Sequence, residues 1–204
     1  MQVAVKYPSV LLAHAQRGDC VQQLARDLSV QIAPILSVQA RASLLLPGGS
    51  SPQQLLPLLA AEPLEWARVD VSPTDERWVA ADAEQSNWRL LQQGLPAASC
   101  LDPRQADSAQ ASASLWADQL QARMPFAAVL LGMGEDGHIA SLFPGMPGLA
   151  PALDLQAAPS ALCAQAPSEP RQRLSLNLPM LLQAQWLGLL AFGQSKKQLI
   201  DAVL

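Results

Sequence analysis

Histidine and cysteine are scarce in this chain of 204 residues, which has only His14 and His138, and Cys20, Cys100 and Cys163. The cysteines are far apart, odd in number and in no CxxC pair, so they are expected to be reduced, mostly buried thiols. With no cysteine cluster near either histidine, a multi-histidine metal site is disfavoured, and neither a metal nor another cofactor is expected. Charge is sparse as well: 15% of residues are charged, with 13 Lys plus Arg against 17 Asp plus Glu, a net charge of −4. That balance lacks the clustered basic face of a nucleic-acid binder, so no nucleic-acid partner is expected. No apolar run approaches the roughly 18 residues of a membrane span, so no membrane partner is expected either. The opening Met1-Gln2-Val3-Ala4-Val5-Lys6 lacks the charged-then-apolar order of a secretory leader, and a cytoplasmic location is the expectation.

Half of the residues are hydrophobic, which is ample for a core. No repeat is found, and the biased stretch from Ala97 to Ser114 is too short for an interdomain linker, so one domain spanning residues 1–204 is expected. From Ser9 to Leu36 apolar residues recur at mostly helical spacing, with a possible break at Gly18-Asp19. Short apolar runs follow at residues 42–46, 67–71, 127–131 and 186–192, alternating with helical patterns at Leu55 to Ala61, Ser86 to Leu91, Ser112 to Arg123 and Ser195 to Leu204. Near-continuous apolar strands between helices predict an α/β fold: a three-layer α/β/α sandwich with a mostly parallel, Rossmann-like sheet. Such sheets hold ligands at the carboxyl ends of their strands, and four motifs fall there.

Pro47-Gly48-Gly49-Ser50-Ser51-Pro52 follows the first run. Its glycines let backbone amides approach an anion and its hydroxyls add donors, so it reads as a phosphate cradle or as an ordinary strand-to-helix turn capped by Ser. Thr74-Asp75-Glu76-Arg77-Trp78-Val79, with Ser86-Asn87 beyond it, offers an Arg fork flanked by carboxylates, or a solvated turn. Gly132-Met133-Gly134-Glu135-Asp136-Gly137-His138 formally contains GxGxxG. A dinucleotide reading is rejected, because Glu135 and Asp136 would set two negative charges beside a pyrophosphate. His138 beside a carboxylate can instead take a proton from water, or make a structural hydrogen bond. Finally, Arg171-Gln172-Arg173 precedes an apolar helix, and Gly193-Gln194-Ser195-Lys196-Lys197 places two of only three lysines at a helix start, where the dipole disfavours cations unless an anion is present.

Taken in this order, the four segments resemble the 6-phosphogluconolactonase family over about Leu44 to Leu199. That family reads SGGSTP, here Pro47 to Pro52; DERxVP then SN, here Asp75 to Ala80 and Ser86-Asn87; and GxGxDGHTASLFP, here Gly132 to Pro144 with Ile139 in place of Thr. An Arg before an ITL-like run and then GxxK correspond to Arg173 and Gly193 to Lys196. The third motif is the specific one. Glucosamine-6-phosphate deaminase of the same superfamily also carries DGH, but with DEY and a later NEP-type turn where this chain has Asp75-Glu76-Arg77 and Ser141-Leu142-Phe143-Pro144.

The resemblance implies hydrolysis of a small-molecule sugar-phosphate lactone, 6-phospho-D-glucono-1,5-lactone. In that reading His138 is the general base, and Asp136 and Arg77 complete the catalytic group. Gly48, Gly49, Ser50, Ser51, Asp75, Arg173 and Lys196 bind phosphate or sugar acid, and the protein works as a monomer or weak homodimer. Two other readings stay open: a sugar-phosphate deaminase or isomerase, and a non-catalytic sugar-phosphate sensor. Departures from the family pattern are Pro47 and Ser51 in the first motif, a short segment between the second and third motifs, and a chain that stops soon after Lys196.

Overall fold

The computed structural model describes residues 10–202. The chain runs through α1 (Arg17–Val38), β1 (Ala42–Leu46), α2 (Ser50–Ala60), β2 (Val69–Pro73), β3 (Asp75–Arg77), α3 (Asn87–Gly94), β4 (Ser99–Cys100), α4 (Ala109–Gln121) and β5 (Phe126–Gly132). It continues through α5 (Leu149–Leu153), β6 (Ala161–Gln165), β7 (Gln172–Leu176), α6 (Leu178–Leu181), β8 (Ala184–Leu190) and α7 (Gln194–Asp201).

Five strands form a parallel sheet in the order β4-β2-β1-β5-β8. Side chains alternate across a strand, so the apolar run of β1 serves both faces. Leu44 and Leu46 pack with Val69, Val71, Ala128 and Leu130 against Leu28 and Ile32 of α1 and Leu55, Leu56 and Leu59 of α2. Leu45 joins Val129 and Leu131 on the opposite face, against Trp116 and Leu120 of α4 and Leu174 and Leu176 of β7. Helices thus cover both faces of a parallel sheet, as the alternating pattern predicts.

The predicted elements shift in places. The first helix begins at Arg17, so Gly18-Asp19 lies in its first turn and Val10 and Leu11 are exposed ahead of it. Ser9, the opening six residues and the last two residues of the predicted final helix lie outside the described residues. The second strand starts at Val69 because Trp66–Arg68 winds into a 3-10 turn. The three cysteines are free thiols but half-buried rather than buried, and burial pushes the Cys100 thiol up to about 11.

A second sheet, not anticipated from the sequence, is antiparallel in the order β3-β7-β6. Two of its short strands, β3 and β7, carry charge, with Asp75, Glu76 and Arg173 all buried, and so lack the apolar signature of a core strand.

At the amino ends of the strands, Asp70 of β2 pairs with Arg41 at 2.6 Å and with Arg123 at 3.1 Å, tying the end of α4 to the sheet. Burial pushes the Asp70 carboxyl up, but hydrogen bonds and charge from the two guanidiniums outweigh it and hold the group below its ordinary range. At the carboxyl ends the chain leaves β1 toward β2 and β4 on one side and places β5 and β8 on the other. The reversal makes the gap between β1 and β5 the switch point of the sheet, where α/β folds open a ligand crevice.

Candidate active site

The loop after β1 opens α2 with Gly49 as its cap residue, at φ 94° and ψ −172°, and no side chain caps the helix. Ser50 is the first helical residue rather than the cap, so the leading amides of α2 are left for another acceptor. A left-handed φ of this kind favours glycine. Gly48 is required for a different reason: a Cβ there would overlap the side-chain amide of Asn87. Asn87 is fixed by donating from Nδ2 to the Asp75 carbonyl at 2.7 Å. Ser50 is exposed and Ser51 half-buried at the helix start.

Strand β3 carries Asp75, Glu76 and Arg77 into register with Ser175, Leu174 and Arg173 of β7. Two guanidiniums therefore face each other across a strand pair, an arrangement that is unfavourable without an anion. Arg77 donates from Nη1 to the Gln85 carbonyl at 2.7 Å, and its buried Nε has no partner among the described residues. Arg173 donates from Nε to the Pro170 carbonyl at 2.7 Å. Among the described residues neither arginine forms a salt bridge. Burial lowers the pKa of Arg173, and the neighbouring charge of Arg77 lowers it further, against the pull of Asp75 and Glu76.

Glu76 points the other way and is fully buried. Its carboxylate accepts from the backbone N–H groups of Arg77 at 2.7 Å, Asn87 at 2.8 Å and Trp88 at 2.7 Å, and from Ser86 Oγ at 3.1 Å. Arg104 pairs with it at 3.2 Å. Burial raises the Glu76 pKa, while the backbone donors and Arg104 oppose that shift. Glu76 is thus the knot that folds the Ser86-Asn87 turn against β3 and, through Asn87, fixes Gly48.

The loop after β5 closes on itself. Met133 bridges Ile139, Gly134 N–H donates to the His138 carbonyl at 2.8 Å, and Gly137 takes φ 84°. A Cβ on Gly134 would overlap the His138 ring and Asp136, so this glycine makes room for imidazole rather than for a pyrophosphate. His138 Nδ1 lies 2.5 Å from Asp136 Oδ1, and the His138 ring packs against Phe143 with centroids 4.4 Å apart. An acceptor at Nδ1 assigns the tautomer that carries its proton there, leaving Nε2 as the basic nitrogen. Burial pushes the Asp136 carboxyl up, but its hydrogen bonds from the His138 ring and backbone bring it below its ordinary range. A cavity of about 350 Å³ opens beside this pair, lined by Asp136, His138, Leu142, Pro144 and Leu153.

Asp75 faces the interior. It accepts from Ser141 Oγ at 2.5 Å, and Ser141 N–H in turn donates to Ser175 Oγ at 3.1 Å. The carboxylate thus joins β3 and β7 to the segment leaving His138. At the fourth motif, Gly193 caps α7 at φ 100° with no side-chain cap, and Lys196 Nζ lies 3.6 Å from Glu135. Lys197 instead pairs with Asp201 at 2.5 Å along the exposed face of α7.

Residues 15–204 match the family described as glucosamine-6-phosphate isomerases/6-phosphogluconolactonase. The chain belongs to that family. It is 37% identical over 209 residues to a 6-phosphogluconolactonase of Pseudomonas putida, covering 98% of this chain and 86% of the relative. It is 38% identical over 188 residues to one of Pseudomonas aeruginosa, covering 89% of this chain and 79% of the relative. The crystal structure of a 6-phosphogluconolactonase from Shewanella baltica superposes with a TM-score of 0.84 at 31% identity, over 93% of this chain and 83% of that one.

Within this 6-phosphogluconolactonase/isomerase fold, the four motifs meet through named contacts. Arg77 opposes Arg173, Gly48 packs on Asn87, Asp75 holds Ser141, and Lys196 meets Glu135. Arg77 and His138 share no hydrogen bond among the described residues; the Asp75–Ser141 link connects their segments. Sequence reasoning passed over Glu76, Asn87, Arg104, Ser141 and Glu135 as site residues. Asn87 stood in a quoted motif, whereas Arg104 lies in the biased stretch and reaches Glu76 only through the fold.

Proposed function

We propose that the chain hydrolyses 6-phospho-D-glucono-1,5-lactone to 6-phospho-D-gluconate, the lactone-opening step of the oxidative pentose phosphate pathway, without a metal. The observation that carries this reading is the Asp136–His138 pair after β5, at the switch point of the sheet, together with Arg77 and Arg173 set opposite each other on β3 and β7 and, among the described residues, in no salt bridge. The names of the relatives at 37% and 38% identity support the same substrate class.

The phosphate is anchored by the Gly48–Ser51 loop, Arg173 and Lys196. His138 Nε2 takes a proton from water as the oxygen attacks the lactone carbonyl at C1, and Asp136 stabilises the imidazolium that forms. Arg77 stabilises the oxyanion at C1. Collapse of that intermediate breaks the bond between C1 and the ring oxygen, which receives its proton from His138. A positioned base of this kind supplies about 10²–10⁴-fold, fitting for an activated ester that already opens slowly in water. Asp75 acts from beneath the site as a positioning residue. No nucleotide, nucleic acid or membrane enters this reading, and the protein acts in the cytoplasm as a monomer or weak homodimer.

The test is hydrolysis of freshly generated lactone, corrected for spontaneous opening, with and without a chelator, alongside ammonia release from glucosamine 6-phosphate. Turnover above background, unchanged by chelator and without ammonia, is expected. Background-only opening, loss of activity on chelation, or ammonia release overturns the proposal.

A further inference from the structure

A lysine in the first turn of a helix opposes the helix dipole unless an anion sits there. In α7 that anion is part of the chain itself. Ser195 Oγ donates to the carboxylate of Glu135, and Lys196 Nζ lies 3.6 Å from the same group. The cap residue Gly193 offers no side-chain acceptor, and the first turn of α7 meets Glu135 through the Ser195 hydroxyl and the Lys196 ammonium. Glu135 belongs to the turn that carries Asp136 and His138, and its side chain is 69% exposed, whereas Lys196 is 19% exposed. The contact therefore ties the general-base turn to the start of α7 through an ion pair whose acidic partner is easily displaced.

We infer that Glu135 is a built-in stand-in for the phosphate of the substrate, which displaces it from Ser195 and Lys196 on binding. This rests on the lactonase reading. A phosphate brings nearly two negative charges and three strong acceptor oxygens to the hydroxyl and the ammonium, against the single charge of an exposed carboxylate. Displacement releases the His138 turn from α7 only when a phosphorylated ligand is present. An unphosphorylated sugar lactone leaves the contact closed, so Glu135 competes only against phosphorylated ligands. It is an internal competitor for the phosphate and does not touch the reacting atoms.

The experiment compares wild type with Glu135→Gln, each checked for an unchanged thermal melt. Calorimetry measures 6-phosphogluconate and gluconate binding, and kinetics gives KM and kcat for the lactone and its competitive inhibition by inorganic phosphate. Removing a competing, partly exposed ion pair is expected to tighten 6-phosphogluconate about two- to fivefold and to lower KM by the same factor. Inorganic phosphate gains in potency, and gluconate binding does not move. Weaker or unchanged 6-phosphogluconate binding in Glu135→Gln, with an active wild type, means that Glu135 merely holds Lys196 in place and overturns this inference alone. A wild type that neither binds 6-phosphogluconate nor opens the lactone overturns the lactonase reading together with it.

Discussion

Replacing Glu76 with glutamine keeps the shape of the side chain and reverses half of its hydrogen-bonding sense. In the native site one carboxylate oxygen takes the Arg77 and Asn87 amides, and the other takes the Trp88 amide, Ser86 Oγ and Arg104. A glutamine oxygen can keep the first pair, but its NH₂ then meets the Trp88 N–H and the Arg104 guanidinium, donor against donor. An orphaned buried donor costs about 1–3 kcal/mol. Breaking a buried ion pair from one side costs about 3–5 kcal/mol. Arg104 keeps a second partner in Asp102 at 3.0 Å, so the loss falls toward the lower end, about 3 kcal/mol in all. For a domain of this size that is a fall in Tm of about 6–12 °C. The assay is urea and thermal unfolding followed by circular dichroism, analysed as a two-state transition. Glu65→Gln, which removes the exposed partner of Arg68, serves as control and is expected to change stability by less than about 1 kcal/mol. A Glu76→Gln loss no larger than that of the control refutes the reasoning.

Gly48→Ala forces a Cβ into the Asn87 amide, so it is expected to destabilise by about 1–3 kcal/mol and to raise KM. Adding Asn87→Ala removes the obstacle, and a coupling energy below about 0.5 kcal/mol in the double-mutant cycle counts against the contact. Asp70 gives a pH signature. Its folded pKa lies below the unfolded value, so its stabilisation is present above about pH 4 and is lost as pH falls through that value toward the folded pKa. Asp70→Asn is expected to be less stable than wild type by about 1–3 kcal/mol at pH 7, with the gap closing in urea titrations taken below pH 4. A gap that stays constant down to pH 3 contradicts the pairing.

The parallel sheet was legible wherever burial on both faces left an uninterrupted apolar run, and β1 matches the predicted residues 42–46. The antiparallel sheet was not, because Asp75, Glu76 and Arg173 of β3 and β7 are buried charged residues that periodicity counts as surface, Asp75 being held by Ser141 from far along the chain, Glu76 by the turn at residues 86–88 and Arg173 by the Pro170 carbonyl. His138 and Asp136 were readable because their contact is two residues long. The partnership of Lys196 with Glu135 spans some sixty residues of chain. Only the dipole argument hinted that an anion belonged beside that lysine, and it could not say that the anion was the protein's own.

The central claim is that His138 is the base that activates water. Its most direct test is the initial rate of lactone opening, above the spontaneous reaction, by wild type and by His138→Ala at equal concentration of folded protein. The account predicts a loss of at least about 10²-fold in kcat, with 6-phosphogluconate still bound by the phosphate-anchoring residues. A His138→Ala protein that opens the lactone at the wild-type rate would contradict it.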